Sequence, residues 1–141
     1  MKFRKNVVGG TALVVVVAAP GQDVPPLPGG VPVVRDEREA RGPLQGLAAG
    51  LDALQGLADA AYVSSCDVPF LQPSFVRLLV ELLGEHAVCV PRADGYHHSL
   101  AAVYRLEVAA AVDRLLAADR LRPFFLFQAV PTRVVEAAEL A

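Results

Sequence analysis

The chain has 141 residues, of which 54% are hydrophobic and 20% are charged, and its formal net charge is −2. This length suits one domain with one core, and the apolar content excludes disorder over most of the chain. The charge balance, with no basic block, excludes nucleic acid as an expected partner. Two cysteines, Cys66 and Cys89, are too few for a disulfide framework or a zinc site, which favours a reducing cytoplasm.

The N-terminal segment permits two interpretations. Lys2, Arg4 and Lys5 precede an apolar run from Val7 to Ala19, as in a secretory signal peptide. The run also contains four consecutive valines at 14–17, a pattern typical of a buried parallel strand. Pro20 makes a poor cleavage site, and the run is shorter than the ~20 residues that span a bilayer. A strand and no membrane partner are therefore expected.

Periodicity and turn residues predict alternating strands and helices along the rest of the chain. Strands are predicted at 11–19, 31–34, 60–65, 87–90, 100–104 and 132–135, and helices at 44–57, 73–84, 107–118 and 123–130. A polar loop is predicted at 91–98. This alternation predicts one α/β domain over 1–141, a doubly wound and mostly parallel sheet with helices on both faces. Ligands in such sheets bind beyond the carboxyl ends of the strands.

Three stretches at those ends carry candidate chemistry. Asp67 follows a predicted buried strand and precedes Pro69, which suits a magnesium ligand or, with about equal weight, a turn cap. Gly42 and Pro43 open a helix whose free N–H groups suit a nucleotide, although an ordinary loop-to-helix junction is favoured for this stretch taken alone. His97 and His98 lack the further ligands that a zinc site requires.

Together, these stretches resemble the molybdenum cofactor guanylyltransferases. The resemblance lies in GPLQGLAAGL at 42–51, SCDVPFL at 65–71 and DGYHHSLAAVYR at 94–105, in that order, and covers roughly 13–136. It implies a Rossmann-like nucleotidyltransferase fold and the transfer of GMP from GTP to molybdopterin in the cytoplasm. By resemblance, Asp67 binds Mg²⁺ and is catalytic, and Asp36 contacts the nucleotide. It also implies that Gly42, Pro43 and Leu44 line the nucleotide pocket, and that the loop with Asp94 and His98 faces the pterin.

Two family signatures have no counterpart in this sequence. The glycine-rich loop that follows the family's first, central strand and cradles the triphosphate is missing, as is a C-terminal Asn-x-Asn-Thr-Pro segment. Ser99 also stands where the family usually has a proline. The domain is therefore expected to be incomplete at both ends, to lack its central strand, and to be a poor catalyst alone. The alternatives are a degenerate binding module whose missing elements come from a protein partner, and an exported protein that resembles the family by coincidence.

Overall fold

The computed structural model describes residues 2–3, 14–27, 31–36, 41–65 and 71–140. Its strands are β1 (Lys2–Phe3), β2 (Val16–Ala18), β3 (Val33–Arg35), β4 (Ala60–Ser64), β5 (Val88–Ala93), β6 (Tyr96–His97), β7 (Ala101–Arg105) and β8 (Thr132–Glu136). Its helices are α1 (Pro43–Leu54), α2 (Pro73–Leu83), α3 (Ala109–Ala117) and α4 (Pro123–Ala129).

Proline and glycine set the helix limits. Pro43, Pro73 and Pro123 each occupy the first turn of a helix, where the missing N–H group costs no hydrogen bond. Gly84 ends α2 with a φ of 50°, a left-handed conformation that glycine adopts without strain. The helices predicted from periodicity are confirmed to within a few residues. The main difference is that the helix predicted at 107–118 begins with a 3-10 turn at Leu106–Val108.

Within the described residues, six strands form one sheet in the order β1-β4-β7-β5-β6, with β8 on β5. β4 and β5 each pair antiparallel with β7, and β8 pairs parallel with β5, so β4, β5 and β8 share one direction. The expected α/β fold with mostly parallel strands is confirmed. The reversal of β7 was not predicted, and it arises because only the residues 94–100 separate β5 from β7. A parallel neighbour would need a crossover of a dozen or more residues.

The prediction of a polar loop at 91–98 is wrong, because this segment forms a β-hairpin. β5 continues to Ala93, and Arg92 and Ala93 pair with His97 and Tyr96 of β6. Asp94 and Gly95 have φ angles of 52° and 79°. An Asp-Gly pair with two positive φ values is typical of a tight hairpin turn.

Both faces of the large sheet are covered by helices. Alternate residues of each strand point to opposite faces, so Val88 and Val90 pack with α1, α3 and α4, whereas Cys89 packs with α2. Likewise, Tyr104 of β7 packs with α1, α3 and α4, and Val103 of β7 packs with α2. The doubly wound arrangement expected from the strand–helix alternation is therefore present.

β2 and β3 form a separate, parallel two-stranded sheet. Of the strand predicted at 11–19, residues 16–18 are confirmed, and 11–13 lie outside the described residues. α1 approaches β2 through two glycines, since a Cβ on Gly50 would lie 3.3 Å from Val17 Cγ2 and one on Gly46 would lie 3.9 Å from Val17 Cγ1. No helix in the described part of the chain is long and apolar enough to cross a membrane.

The two sheets are not joined by a ladder among the described residues. β2 belongs to the small sheet, β4 lies next to the β1 edge of the large one, and α1 packs beside both. The expectation that the sheet lacks a central strand stays a prediction.

Candidate functional site

A cavity of about 530 Å³ lies between β2 and β4, beside α1. Its polar rim comprises Asp36, Gly42, Pro43, Ser64 and Ser65, which follow or end β3 and β4 or begin α1. Its apolar body comprises Val14–Val17, Leu47, Gly50, Leu51, Leu54, Ala61, Tyr62 and Val63. The rim thus lies at the carboxyl ends of strands, where ligands of α/β sheets bind.

Asp36 is the carboxylate of this rim. Its backbone N–H donates to Ala18 O at 2.9 Å, which places the residue directly after the β2–β3 ladder. Its Oδ1 atom is buried and has no hydrogen-bond partner among the described residues. Burial raises the pKa of the Asp36 carboxyl. A buried acceptor without a partner is costly, so this position favours a bound donor or cation.

The start of α1 provides the second part of the rim. Gly42 has a φ of 73°, a value that disfavours any residue with a Cβ, and Pro43 then begins the helix. Among the described residues no side chain caps this helix start, and the first turn of the helix has no acidic residue. Pro43 has no N–H and Gln45 N donates to Gly42 O at 3.3 Å, so the Leu44 N–H is the group of this first turn left for an anion such as a phosphate.

Leu44 differs from its two neighbours. Its side chain is 1% exposed and belongs to the core between α1 and the large sheet. Leu44 does not line the cavity among the described residues. Only its backbone is available to a ligand, and the nucleotide-pocket role of Gly42, Pro43 and Leu44 stays a prediction.

Asp67 lies in the segment 66–70, outside the described residues. The residues on either side of this segment, Ser65 and Leu71, both line the cavity. The Ser64 hydroxyl donates to Ser65 O at 2.9 Å. The magnesium-binding and catalytic role of Asp67 stays a prediction.

Asp94 and His98 lie on the β5–β6 hairpin and the residues after it. Both are exposed, and neither is among the residues that line the cavity. His98 N donates to Pro91 O at 2.9 Å, and Ala101 N donates to His98 O at 3.1 Å, so the backbone around His98 is tied to β5 and β7. Asp36, Gly42 and Pro43 line one cavity, whereas Asp94 and His98 are not among its lining residues. Their pterin-facing role stays a prediction.

The polar atoms of the rim are compatible with a magnesium ion that arrives with a nucleotide. Mg²⁺ in nucleotide sites takes one or two carboxylates, several waters and phosphate oxygens. Asp36 offers one carboxylate with an unpartnered oxygen. No cluster of three or more His, Cys, Asp or Glu side chains suited to a metal occurs in the part of the chain that the structure describes.

Sequence analysis missed several residues of the site. Tyr62, Leu71 and Leu100 line the cavity, although each reads as an ordinary core or loop residue in the sequence. A second groove of about 750 Å³ between α1 and α3 was also missed, and its wall includes Arg41, which bonds to Leu116 O and Asp119. No motif marks these positions because only tertiary packing brings them together.

The family model and the curated relatives that match this chain indicate the same family. The MobA-like NTP transferase domain matches residues 6–132. A "probable molybdenum cofactor guanylyltransferase" of Mycobacterium tuberculosis strain H37Rv is 42% identical over 109 residues, covering 76% of this chain and 53% of that protein. A protein of the same name from Mycobacterium avium is 39% identical over 104 residues, covering 72% of this chain and 52% of the relative. The chain thus spans about half the length of these relatives.

Solved structures agree on the fold. Molybdopterin-guanine dinucleotide biosynthesis protein A from Archaeoglobus fulgidus is 19% identical with a TM-score of 0.65, covering 78% of this chain and 55% of that one. A protein from Aquifex aeolicus is 25% identical with the same TM-score of 0.65, covering 75% and 55%. From the match over most of its length, the chain belongs to the MobA-like NTP transferase domain family.

Proposed function

We propose that the protein acts in molybdenum cofactor biosynthesis as a guanylyltransferase, transferring GMP from GTP to molybdopterin with Mg²⁺. The observation that carries this proposal is the polar rim, where Asp36 and the uncapped start of α1 line one cavity. The names of the curated relatives support guanylyl transfer over a degenerate binding module. A cytoplasmic location, where GTP is available, accompanies this proposal.

The proposed chemistry is phosphoryl transfer, in which the protein mainly positions groups and neutralises charge. An oxygen of the acceptor's phosphate attacks the α-phosphorus of GTP, and pyrophosphate leaves with the electron pair of the broken bond. The N–H groups at the start of α1 hold the nucleotide, with Gly42 and Pro43 shaping that approach. Asp36 and Asp67 are the proposed ligands of magnesium, which would offset the phosphate charge. Asp94 and His98 are proposed to contact the pterin from the hairpin side.

Nucleotide binding tests the site directly. A fluorescent GTP analogue is titrated into the purified chain with and without Mg²⁺, and unlabelled GTP and CTP compete for it. Because Asp36 has an unpartnered oxygen at the rim, Asp36→Asn should weaken binding in Mg²⁺ by about tenfold, equivalent to ~1.4 kcal/mol. The exposed Glu107→Gln variant removes the same charge away from the rim and should bind normally. No saturable GTP binding, or equal binding by the two variants, contradicts the proposed site.

Catalysis by the chain is a separate measurement. Since no counterpart of the family's triphosphate loop occurs in this sequence, the purified 141-residue protein is proposed to be a poor catalyst. Transfer of labelled GMP to molybdopterin should be far slower than with the Mycobacterium tuberculosis relative assayed in parallel. Ready GMP transfer by the chain alone contradicts this second proposal while supporting the first. Binding of molybdopterin without any binding of GTP would favour the degenerate module instead.

A further inference from the structure

Strand β8 has an outer edge that faces away from β5. The two strands pair in parallel, and Val88 N of β5 donates to Pro131 O at 3.2 Å. In a parallel ladder this bond directs the C=O of Pro131, and the backbone groups of Arg133 two residues on, toward β5. Because alternate residues of a strand bond to opposite sides, Val134 and Glu136 direct their N–H and C=O groups to the outer edge.

Two side chains bond to the backbone on this outer edge. Arg133 Nη1 donates to Val134 O at 2.7 Å, and Glu136 N donates to Glu139 Oε2 at 2.8 Å. Arg133 Nη2 and Glu139 Oε1 form an ion pair with each other. Glu139 comes from the 3-10 turn at Ala137–Leu140, which directly follows β8. One ion pair therefore occupies two neighbouring groups of the strand edge.

The two occupied groups are those that a neighbouring strand would use. In a parallel ladder, one residue of the neighbour donates its N–H to a C=O and accepts from the N–H two residues further along. On the outer edge of β8, those two groups are Val134 O and Glu136 N. The guanidinium of Arg133 supplies the donor, and the carboxylate of Glu139 supplies the acceptor. The Arg133–Glu139 pair thus takes the place of one residue of a further strand.

Packing and charge both hold this pair at the edge. The side chains of Arg133 and Glu139 are 30% and 39% exposed, so water reaches them only in part. The hydrogen bonds from Arg133 and from the Glu136 backbone hold the pKa of the Glu139 carboxyl below its usual value, which keeps it charged at neutral pH. Leu140, the next residue, packs against the core on the α2 side, which includes Val135 of β8. The turn that carries Glu139 is therefore anchored.

We propose that the Arg133–Glu139 pair blocks the outer edge of β8, and that without it this edge pairs with the same edge of a second copy of the chain. A strand edge with available N–H and C=O groups is a template for pairing with another chain, and charged side chains are one means of blocking it.

The sequence of β8 suits a second copy as the occupant. Identical edges pair antiparallel about a two-fold axis. A pair centred on Val134 would place Thr132 opposite Glu136 of the second copy and Arg133 opposite Val135 of the second copy, so no like charges would face each other. This arrangement needs both Val134 O and Glu136 N, which the ion pair occupies.

Sedimentation velocity of the full 141-residue chain tests the proposal from about 10 to about 200 µM, since association depends on protomer concentration. Glu139→Ala removes the acceptor for Glu136 N and half of the ion pair, so this variant should form dimers whose fraction rises with concentration. The wild-type chain should stay monomeric. Glu81→Ala removes the same charge from an exposed position on α2 and should also stay monomeric. A monomeric Glu139→Ala variant, or equal dimerisation of all three chains, overturns the proposal.

Amide hydrogen exchange locates the contact. At low concentration, the Glu136 amide of Glu139→Ala should exchange about tenfold faster or more than in the wild-type chain, because it has lost its acceptor. At high concentration, the Val134 amide on the same edge should become protected as dimers form. Dimers that leave the Val134 amide unprotected overturn the proposal, because they use another surface.

A second variant tests the edge from the donor side. Arg133→Gln releases Val134 O and leaves the residues of the 3-10 turn unchanged, so it should dimerise with the same protection of the Val134 amide. Circular dichroism checks that each variant is folded, and Arg133→Gln decides the test if Glu139→Ala does not fold. A folded, monomeric Arg133→Gln variant overturns the proposal. None of these residues lines the cavity of the proposed GTP site, so GTP binding and this edge succeed or fail separately.

Discussion

The large sheet and the small sheet are built from similar residues but are buried to different extents. Val88 and Val90 of β5 are 0% exposed, because helices cover both faces and strands flank both edges. Val33 of β3 is 38% exposed, and the outer edge of β2 borders a cavity. The same β-branched residue type therefore forms a core in one place and a partly exposed strand beside a cavity in another. The difference lies in how completely neighbouring helices and strands pack against each strand. Among the described residues, the candidate site lies beside a strand that they pack against incompletely.

The largest expected effect concerns the reactivity of Cys89 in the large sheet. Cys89 is free and fully buried, and burial raises the pKa of its thiol to about 11. In a Cys66→Ser background, alkylation at pH 8 should be slower in the native protein than in urea by a factor of ~10³ or more, since reaction requires the sheet to open. Mass spectrometry measures the rate. Labelling at comparable rates in the two states would show that the large sheet is not the stable part of the molecule.

A matched pair of substitutions compares the two sheets directly. Val88→Ala in β5 should lower the free energy of unfolding by about 2–3 kcal/mol, because it leaves a void in a close-packed core. Val16→Ala in β2 should cost about 1 kcal/mol or less, since Val16 already borders a cavity. Urea unfolding monitored by circular dichroism measures both. Equal losses would indicate that the small sheet is as tightly packed as the large one.

A smaller effect on the free energy of unfolding is expected at Tyr104 of β7, which bonds to Ser99. The buried Tyr104 hydroxyl donates to Ser99 O at 2.7 Å, and burial raises the pKa of Tyr104 well above its usual value. Tyr104→Phe should lower the free energy of unfolding by about 1–2 kcal/mol, because Ser99 O loses its donor. Tyr96→Phe is the control, since Tyr96 is 73% exposed. A loss for Tyr96→Phe as large as that for Tyr104→Phe would contradict this assignment.

The smallest expected effect is on the pH dependence of stability at Asp36. Burial raises the folded-state pKa of Asp36 above its unfolded value, so protonation favours the folded state. The stability from this group is fully present below the unfolded pKa and is lost as pH rises through the folded pKa. Asp36→Asn should therefore raise the melting temperature slightly at pH 7.5 and leave it nearly unchanged below pH ~3.5, which is below the usual aspartate pKa. A melting temperature lowered at pH 7.5 would show that the carboxylate has a stabilising partner.

Local sequence signals predicted most of the elements. Pro43, Pro73 and Pro123 mark helix starts because of proline's fixed φ and missing N–H, whatever the tertiary context. The Asp94-Gly95 pair is also a local signal, but its polar surroundings led to the prediction of a loop where a hairpin forms. Strand β1 at Lys2–Phe3 was missed because its residues carry no strand pattern, and pairing with β4 alone creates it.

The sequence by itself determined the α/β class, the helix limits and the family motifs, because these depend on residues close together in the chain. Only the tertiary structure decided that β7 runs against its neighbours, that Leu44 faces the core, and that Asp94 and His98 do not line the cavity that Asp36 lines. It also decided that β2 and β4 face each other across an apolar cavity. These outcomes depend on which distant segments pack together. Pairing of distant segments is a property of the whole fold that no short stretch of sequence encodes.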